Sequence, residues 1–501
     1  MLDTLLLSAL IVGIISILLE ILAYFIRQQF TRQLLYICII FFVSFSSSVL
    51  LAYYFSVPAL LLWMVTVYRI INAMRVLQGR MEEQRSYHVT RRTSLVLVCI
   101  YVVLAVVLYA SVQANIETHV WLGILLTLSC AMAIVLYLAV HKNLASAKIG
   151  QQNNQLAQAD IPSVSVCIPA RNETDDLSAC LESLLASDYA KLEILVLDDC
   201  SHQQTSDIIK GFANKGVRFI HGDPVKKGWL AKNQAYKTLG ETASSDLLLF
   251  CGVDVRVSPQ TIRTLVETFH QQRVSMISIL PTGLQGQKLS GLVQPMRYWW
   301  ELVLPRRLFR RPPALSTAWV IKREALVHLG GFKAVKNTVV PESYFARELT
   351  KEGAYGFVRS SGSLVVQSVK NTPALWEAAV RLRYPQLHKR LEAVYIVSLA
   401  EIITLVLPFF MVVYGFFTSI GYLWPLAFVA CALLFAVHIR VVNAWSGRSS
   451  LAMIMQLPIA ILCELWLVQL SMYKYEFSLV EWKERNICIP VMHVIPRLPK
   501  A

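Results

Sequence analysis

Charge is scarce in this 501-residue chain: Asp, Glu, Lys and Arg make up 16% of it, against roughly a quarter of an ordinary soluble domain. Acids are the scarcer kind, and 32 of them against 47 Lys and Arg leave a formal net charge of +15. Glycine and proline are also few, 21 and 19 residues, which excludes a collagen-like chain. No CxxC pair occurs among the ten cysteines, and Cys38, Cys99, Cys130, Cys431 and Cys463 lie inside apolar runs. That argues against a disulfide framework and against a zinc site, and it fits a reduced, intracellular setting. The first apolar run has no basic stretch before it and no small-residue cleavage pattern after it, so it reads as retained rather than as a signal peptide.

What is there instead is apolar matter, 55% of the chain. It excludes a disordered chain and a plain soluble enzyme. Runs near 4–26, 33–54, 94–113 and 119–140, and a weaker one near 56–75 interrupted by Arg69, approach the ~20 residues that span a bilayer. Three more lie near 394–418, 421–439 and 451–472, and none lies between about 160 and 390. Basic residues crowd between the first and second runs and before the run at 94–113, while 55–57 and 113–118 carry none. The positive-inside rule then predicts an external N-terminus, five crossings and a cytoplasmic central domain. Three further crossings would leave the basic tail outside, unless a run broken at Pro408 or Pro458 is re-entrant. The expected division is 1–145 membrane helices, 160–372 soluble domain, 373–392 interfacial helix, 393–475 membrane helices and 476–501 basic tail, with 146–160 a polar linker.

In the central domain, β-rich runs at 164–169, 193–197, 217–220, 246–251 and 275–280 alternate with helical patterns at 174–187, 204–214 and 259–271. The rhythm predicts an α/β doubly wound, mostly parallel sheet, whose ligands bind at the carboxyl ends of the strands. Three of those ends are polar or acidic: Pro169-Ala170-Arg171-Asn172-Glu173, Asp198-Asp199-Cys200-Ser201 and Gly252-Val253-Asp254. Carboxylates gathered there suit a hard divalent cation, Mg²⁺ or Mn²⁺, shared with a diphosphate. Taken singly, strand-end Asp residues also serve as turn formers and helix caps.

The order VCIPARNE (166–173), VLDDCS (196–201), GWLAKN (228–233), LFCGVDVR (249–256) and GGF (330–332) resembles the family 2 glycosyltransferases. The resemblance covers about 162–390 and extends to the multi-spanning type similar to ceramide glucosyltransferase and to cellulose and hyaluronan synthases. It implies a GT-A nucleotide-diphospho-sugar domain between two helical membrane bundles, and inverting transfer. By position, Pro169, Ala170, Arg171, Glu173 and Asp198 would hold the nucleotide base and ribose, and Lys232 would lie near the diphosphate. Asp254 would carry the metal and sugar diphosphate as the second acid of an Asp-x-Asp motif whose first acid is Gly252 here.

The family's usual Glu-Asp, with the Asp as general base, reads Glu342-Ser343 in this chain. Ser cannot accept the proton unaided, which leaves Glu342 as the candidate base. The Gln-x-x-Arg-Trp signature reads Val380-Arg381-Leu382-Arg383-Tyr384, giving Arg383 a place at the leaving group and Tyr384 a place at the acceptor end. Segments 374–390 and 295–311, the second holding Trp299, Trp300, Arg306, Arg307, Arg310 and Arg311, also suit an interfacial anchor. Glu20, Glu401 and Glu464 would be intramembrane acids, functional or paired. Trp-Lys-Glu-Arg at 482–485 resembles a stretch on the cytoplasmic side of related enzymes.

The expected protein is therefore a multi-pass glycosyltransferase of a bacterial cell membrane. Its expected partners are a nucleotide-diphospho-sugar, with UDP the commonest base, a lipid or short-glycan acceptor and the bilayer. Nucleic acid fits poorly, because the basic residues flank apolar spans. A processive polysaccharide synthase and a non-catalytic membrane scaffold that kept the fold are the alternatives.

Overall fold

The computed structural model describes residues 2–26, 28–77, 84–147, 161–173, 175–201, 203–283, 290–305, 311–446 and 451–488. The linker expected at 146–160 and the arginines at 306, 307 and 310 lie wholly or mostly outside them. The chain forms two units, Met1–Ala131 with Leu387–Cys431 and Met132–Gln386 with Ala432–Ala501.

The proline-poor apolar runs become helices α1 (Leu2–Phe25), α2 (Gln29–Tyr53), α3 (Val57–Leu77), α4 (Gln84–Gln113) and α5 (Thr118–Ser146). In the first unit α1 packs on α2, α2 on α3 and α3 on α4. Arg69 of α3, the residue that interrupts the weakest apolar run, is 2% exposed and holds Glu20 of α1 at 2.8 Å. Ser94 donates to the other Glu20 oxygen, and the Arg69 guanidinium lies 4.8 Å from the centre of the Tyr101 ring. Glu20 is thus a paired acid; an unpaired charge there would cost several kcal/mol. Thr93 donates to Glu392 at 2.8 Å, and Glu401 is buried in the same unit.

In the second unit the expected strands form where the β-rich runs lie: β1 (Val164–Ala170), β2 (Leu192–Asp198), β3 (Val217–His221) and β4 (Leu247–Cys251). A short β5 (Val255–Val257), β6 (Met276–Leu280), β7 (Thr282–Gly283), β8 (Ala318–Lys322), β9 (Tyr355–Arg359) and β10 (Val366–Ser368) follow. The main sheet runs β3-β2-β1-β4-β8-β6-β9, and only β8 is antiparallel to its neighbours. This is the mostly parallel α/β sheet the rhythm predicts. A small sheet of order β5-β10-β7 sits apart from it.

Helices α6 (Asp175–Leu185), α7 (Gln203–Gly211), α8 (Ala231–Thr242) and α9 (Thr261–Gln272) connect the early strands. Side chains alternate across the sheet with the period of the pleat. Val166, Ile168, Val196, Leu249 and Ile277 face one core, with Leu181, Ile262 and Phe269. Cys167, Leu195, Phe250 and Ile321 face the other, with Tyr236, Trp319 and Phe345. All ten cysteines are free thiols.

The rest of the second unit is helical: α10 (Ser290–Val303), α11 (Arg323–His328), α12 (Pro341–Lys351) and α13 (Thr372–Gln386). Helix α14 (Leu391–Tyr414) belongs to the first unit, α15 (Leu423–Ser446) runs from one unit into the other, and α16 (Leu457–Glu476) belongs to the second. Among the described residues eight helices, α1–α5 and α14–α16, are long and apolar enough to cross a membrane. Helix α16 packs along α10 and α13. A final hairpin, β11 (Glu481–Trp482) and β12 (Arg485–Asn486), ends the described chain.

Candidate active site

The site grows from the carboxyl edge of the main sheet. Strands β1 and β4 are neighbours whose connections leave in opposite directions, the switch point where such sheets open a crevice. After β1 the chain turns at Asn172 (φ 49°), and after β2 at Cys200 (φ 51°). Arg171 ties the two turns together, donating to the carbonyls of Asp199 (2.8 Å) and Cys200 (2.9 Å). Pro169 and the buried Ala170 end β1, and the Ala170 carbonyl accepts from the Asp199 amide at 2.9 Å. Asp198 is buried and committed: its oxygens accept from the Ser201 amide at 3.1 Å and from the Ser206 hydroxyl. Its turn-forming role is therefore plain.

Asp254 stands at the end of β4. The small sheet serves it, because β10 pairs with β5 directly after the acid. Lys370 Nζ lies 3.1 Å from Asp254 Oδ2, and Ser368 Oγ lies 3.3 Å from the same atom. Burial raises the Asp254 pKa, but Lys370, together with Arg297 and a backbone hydrogen bond, holds the carboxyl below its usual range. A Cβ at Gly252 would stand 2.5 Å from Asp254 Oδ1, so an acid there could not coexist with this conformation. The acid that feels Asp254 is Glu173, whose pKa is raised by burial first and also by Asp176 and Asp254.

A second group lies around Glu342. Pro341 opens α12 in the first-turn position and Glu342 follows, 1% exposed, with one carboxylate oxygen lacking any hydrogen-bond partner. Burial pushes its pKa up to about 7, against the opposing pull of Lys232. Burial in turn lowers Lys232 to about 8, opposed by Glu342, while Arg381 and Lys370 push it further down. Lys232 lies over the Tyr236 ring at 5.1 Å. Lys232, Arg297, Lys370 and Arg381 thus share one electrostatic neighbourhood with Asp254 and Glu342. Sequence reasoning missed Arg297, Lys370 and Arg381 as site residues.

Glu342 lines a narrow cleft with Arg297, Leu315, Ser316, Leu382 and Arg383. Arg383 Nη2 donates to Glu464 Oε2 of α16 at 2.8 Å, and Arg383 Nε lies 2.6 Å from Oε1 without hydrogen-bond geometry, so the two form a buried ion pair held by one hydrogen bond. Tyr384 is 1% exposed, donates to Glu476 at 2.6 Å and does not line the cleft. It fastens α13 to α16, as does its amide, which donates to Ser471 at 2.9 Å. Trp299 is also internal, at 1% exposed, so α10 buries the ring that the sequence placed among headgroups. Arg311, from the same expected anchor, pairs with Glu301 at 3.3 Å.

The tail hairpin closes one side of the strand-end turns. Lys483 pairs with Glu173 at 2.9 Å, Arg485 with Asp199 at 2.5 Å, and Arg171 Nε donates to the Lys483 carbonyl at 3.0 Å. The tail therefore lies on the same side as the sheet edge.

Among the described residues, Asp254 is a mostly buried carboxylate at this edge held below its usual pKa range, the kind of group that could meet a divalent cation. Among the described residues no group of three His, Cys, Asp or Glu side chains could hold a metal ion by itself. One carboxylate fits a small hard cation that takes its other ligands from a diphosphate and water.

Residues 165–329 match the family "Glycosyl transferase family 2". A 4,4'-diaponeurosporenoate glycosyltransferase of Staphylococcus haemolyticus is 31% identical over 121 residues, 24% of this chain and 32% of that protein. An uncharacterized protein of Mycobacterium tuberculosis is 30% identical over 115 residues, 23% of this chain and 35% of its own length. The chain thus spans about a third of the length of these curated relatives. Among solved structures, a mannosyltransferase of Pyrobaculum calidifontis in complex with GDP-Man and Mn²⁺ aligns with TM-score 0.44 at 15% identity, over 73% of this chain and 99% of that one. Glucosyl-3-phosphoglycerate synthase of Mycobacterium tuberculosis, with Mn²⁺, UDP and glucosyl-3-phosphoglycerate, aligns with TM-score 0.35 at 17% identity, over 49% and 88%. The match to glycosyl transferase family 2 thus falls on residues 165–329, within the central α/β domain.

Proposed function

We propose that the chain is an integral-membrane glycosyltransferase that moves a sugar from a nucleotide-diphospho-sugar to a membrane lipid or short glycan. Its catalytic domain would be residues 160–372, on the cytoplasmic side, between helical regions at 1–145 and 393–475. The observation that carries this reading is the cluster of Lys232, Lys370, Arg297 and Arg381 about Asp254 and Glu342 near the end of β4. Four cations about two acids leave a net positive site that suits a diphosphate. The turns of Arg171, Glu173 and Asp198 form the base and ribose side.

Asp254 would hold a divalent cation, Mg²⁺ or Mn²⁺, which when bound neutralises charge on the diphosphate. Lys370, released from Asp254, and Lys232 then meet phosphate oxygens. Glu342 takes the proton of the acceptor hydroxyl. The acceptor oxygen bonds to the anomeric carbon from the face opposite the leaving group, the bond from that carbon to the β-phosphate oxygen breaks, and the nucleoside diphosphate leaves with the electron pair. The anomeric centre inverts. Arg383, fixed by Glu464, supports the acceptor wall.

Membranes containing the protein, given UDP-, GDP- and dTDP-sugars labelled in the sugar, test this. Label in a lipid or short-glycan product of inverted configuration, lost in Asp254→Ala, is expected. A polymer ladder would replace single transfer by processive synthesis. Absence of nucleotide-sugar binding would leave the non-catalytic scaffold.

A further inference from the structure

Asn233 follows Lys232 in the first turn of α8 and is 1% exposed. Its side-chain Nδ2 donates into one loop, to the carbonyls of Val335 (2.8 Å), Thr338 (2.8 Å) and Lys336 (3.3 Å). An amide nitrogen has two hydrogens, so the two short bonds use both and the longer one is shared. The Leu230 amide, just before α8, donates to the Lys336 carbonyl at 2.8 Å. The loop, 334–340, belongs to no strand or helix, and among the described residues its other backbone bonds are local turns such as Thr338 to Val335. Val335 packs in the core with Phe332 and Phe345, but from Lys336 to Val340 no residue is buried. There the loop is held by Asn233 and Leu230. It ends at Pro341, and Glu342 follows with one carboxylate oxygen that has no hydrogen-bond partner. The place of that carboxylate is thus set by backbone that the Asn233 amide ties down. Lys232, the neighbour of Asn233, is the cation that attracts Glu342. Buried amides commonly hold loops for the sake of the fold alone. Here one helical turn carries both a donor-side cation and the clamp on the loop that bears the base.

We propose that Asn233 is a positioning residue for sugar transfer: its amide holds 335–338 against α8 and so fixes the Glu342 carboxylate relative to Lys232 and the donor phosphates. The inference rests on the glycosyltransferase reading and deepens it. Asn233 touches neither donor nor acceptor, so its loss acts on the rate of transfer and not on donor binding. Displacing a reacting group by about 1 Å costs about 10²-fold in rate.

The test compares the full-length protein with Asn233→Leu, which keeps the volume and removes both donors, and with Asn233→Ser, which keeps one. Membranes containing each are given sugar-labelled UDP-, GDP- and dTDP-sugars, and kcat and donor KM are measured with whichever transfers. Affinity for UDP, GDP and dTDP is read by calorimetry on the purified protein, and the 335–342 amides by hydrogen–deuterium exchange. Asn233→Leu should lower kcat about 10²-fold with donor KM and nucleotide affinity within about threefold of the unmutated values, the signature of an effect on the transition state alone. Asn233→Ser should fall between the two. Exchange at 335–342 should quicken, while the 223–226 loop, which Gln234 holds through the Lys226 amide and the Asp223 and Pro224 carbonyls, should exchange as before.

Asn233→Leu that binds nucleotide and keeps kcat within about threefold overturns the inference and leaves the transferase reading standing. A loss of nucleotide affinity as large as the loss of transfer makes Asn233 a donor-site or folding residue and also overturns it. If Asn233→Leu does not fold, Asn233→Ser decides on the same readings: a lower kcat at unchanged affinity supports the inference, and any other result overturns it. No transfer by the unmutated protein overturns both.

Discussion

Replacing Glu342 by Gln tests the assignment of the base. The two side chains have the same shape, so the buried start of α12 and the packing of Phe345 beneath it should persist. What is lost is the capacity to take a proton. Positioned general bases contribute about 10²–10⁴-fold, or roughly 2.7–5.4 kcal/mol of barrier. The pH dependence supplies a sharper signature. Burial, opposed by Lys232, puts the carboxyl at about 7. A base works ionised, so transfer should rise with pH. The ionised fraction grows from about 9% at pH 6 to about 91% at pH 8, and with Lys232 half-charged at pH 8 the net rise in kcat/KM, which reports the free enzyme, is ~5-fold.

Lys232, lowered by burial to about 8, must stay charged to meet a phosphate, so the profile should fall again above that. The two limbs belong to the pair as macroscopic values. Labelled transfer measured from pH 5.5 to 9.5 should therefore be bell-shaped. Glu342→Gln should lose the acid limb and most of the rate, while calorimetry shows unchanged donor affinity. An unaltered acid limb, or a loss of rate under about threefold where general bases contribute 10²–10⁴-fold, would place the base elsewhere.

Three other outcomes follow from the contacts. Asp254 is a single carboxylate held by Lys370, so Mn²⁺ should bind detectably by electron paramagnetic resonance only with UDP or another fitting nucleotide present, and Asp254→Asn should abolish it. Tight Mn²⁺ binding to the nucleotide-free protein would contradict this. Glu464→Gln strands the buried Arg383, and should cost about 3–5 kcal/mol, read as a lower melting temperature that Arg383→Met with Glu464→Leu partly recovers. Ala at both Lys483 and Arg485 removes two partly exposed pairs worth about 0–1 kcal/mol each, so stability should hardly change while nucleotide affinity falls. Tighter nucleotide binding in that variant would show that the hairpin obstructs the site.

The eight long helices were legible because a bilayer-spanning run needs length and apolarity and nothing else. The strand ends were legible for a related reason: β-rich runs stop where turn formers and acids begin, and the parallel rhythm puts those ends on one edge. Lys370 was not legible, since nothing near it in sequence marks a partner of Asp254; the small β5-β10-β7 sheet brings the two together. The tail was half legible. Its motif suggested the side of the membrane, but Arg485 meets Asp199 across 286 positions of sequence, a pairing no local pattern carries. Trp299 misled for a physical reason. An aromatic beside arginines has the composition of a membrane interface, and it has the same composition when a neighbouring helix covers it, as α13 and α16 do here.

Isothermal titration of the purified full-length protein with UDP, GDP and dTDP in the presence of Mn²⁺, repeated on Asp254→Ala, addresses the donor site without needing the acceptor. Saturable binding of at least one nucleotide, lost when the Asp254 carboxylate is removed, is the predicted result. Binding of none, or equal binding by the variant, would contradict a diphosphate site at the end of β4.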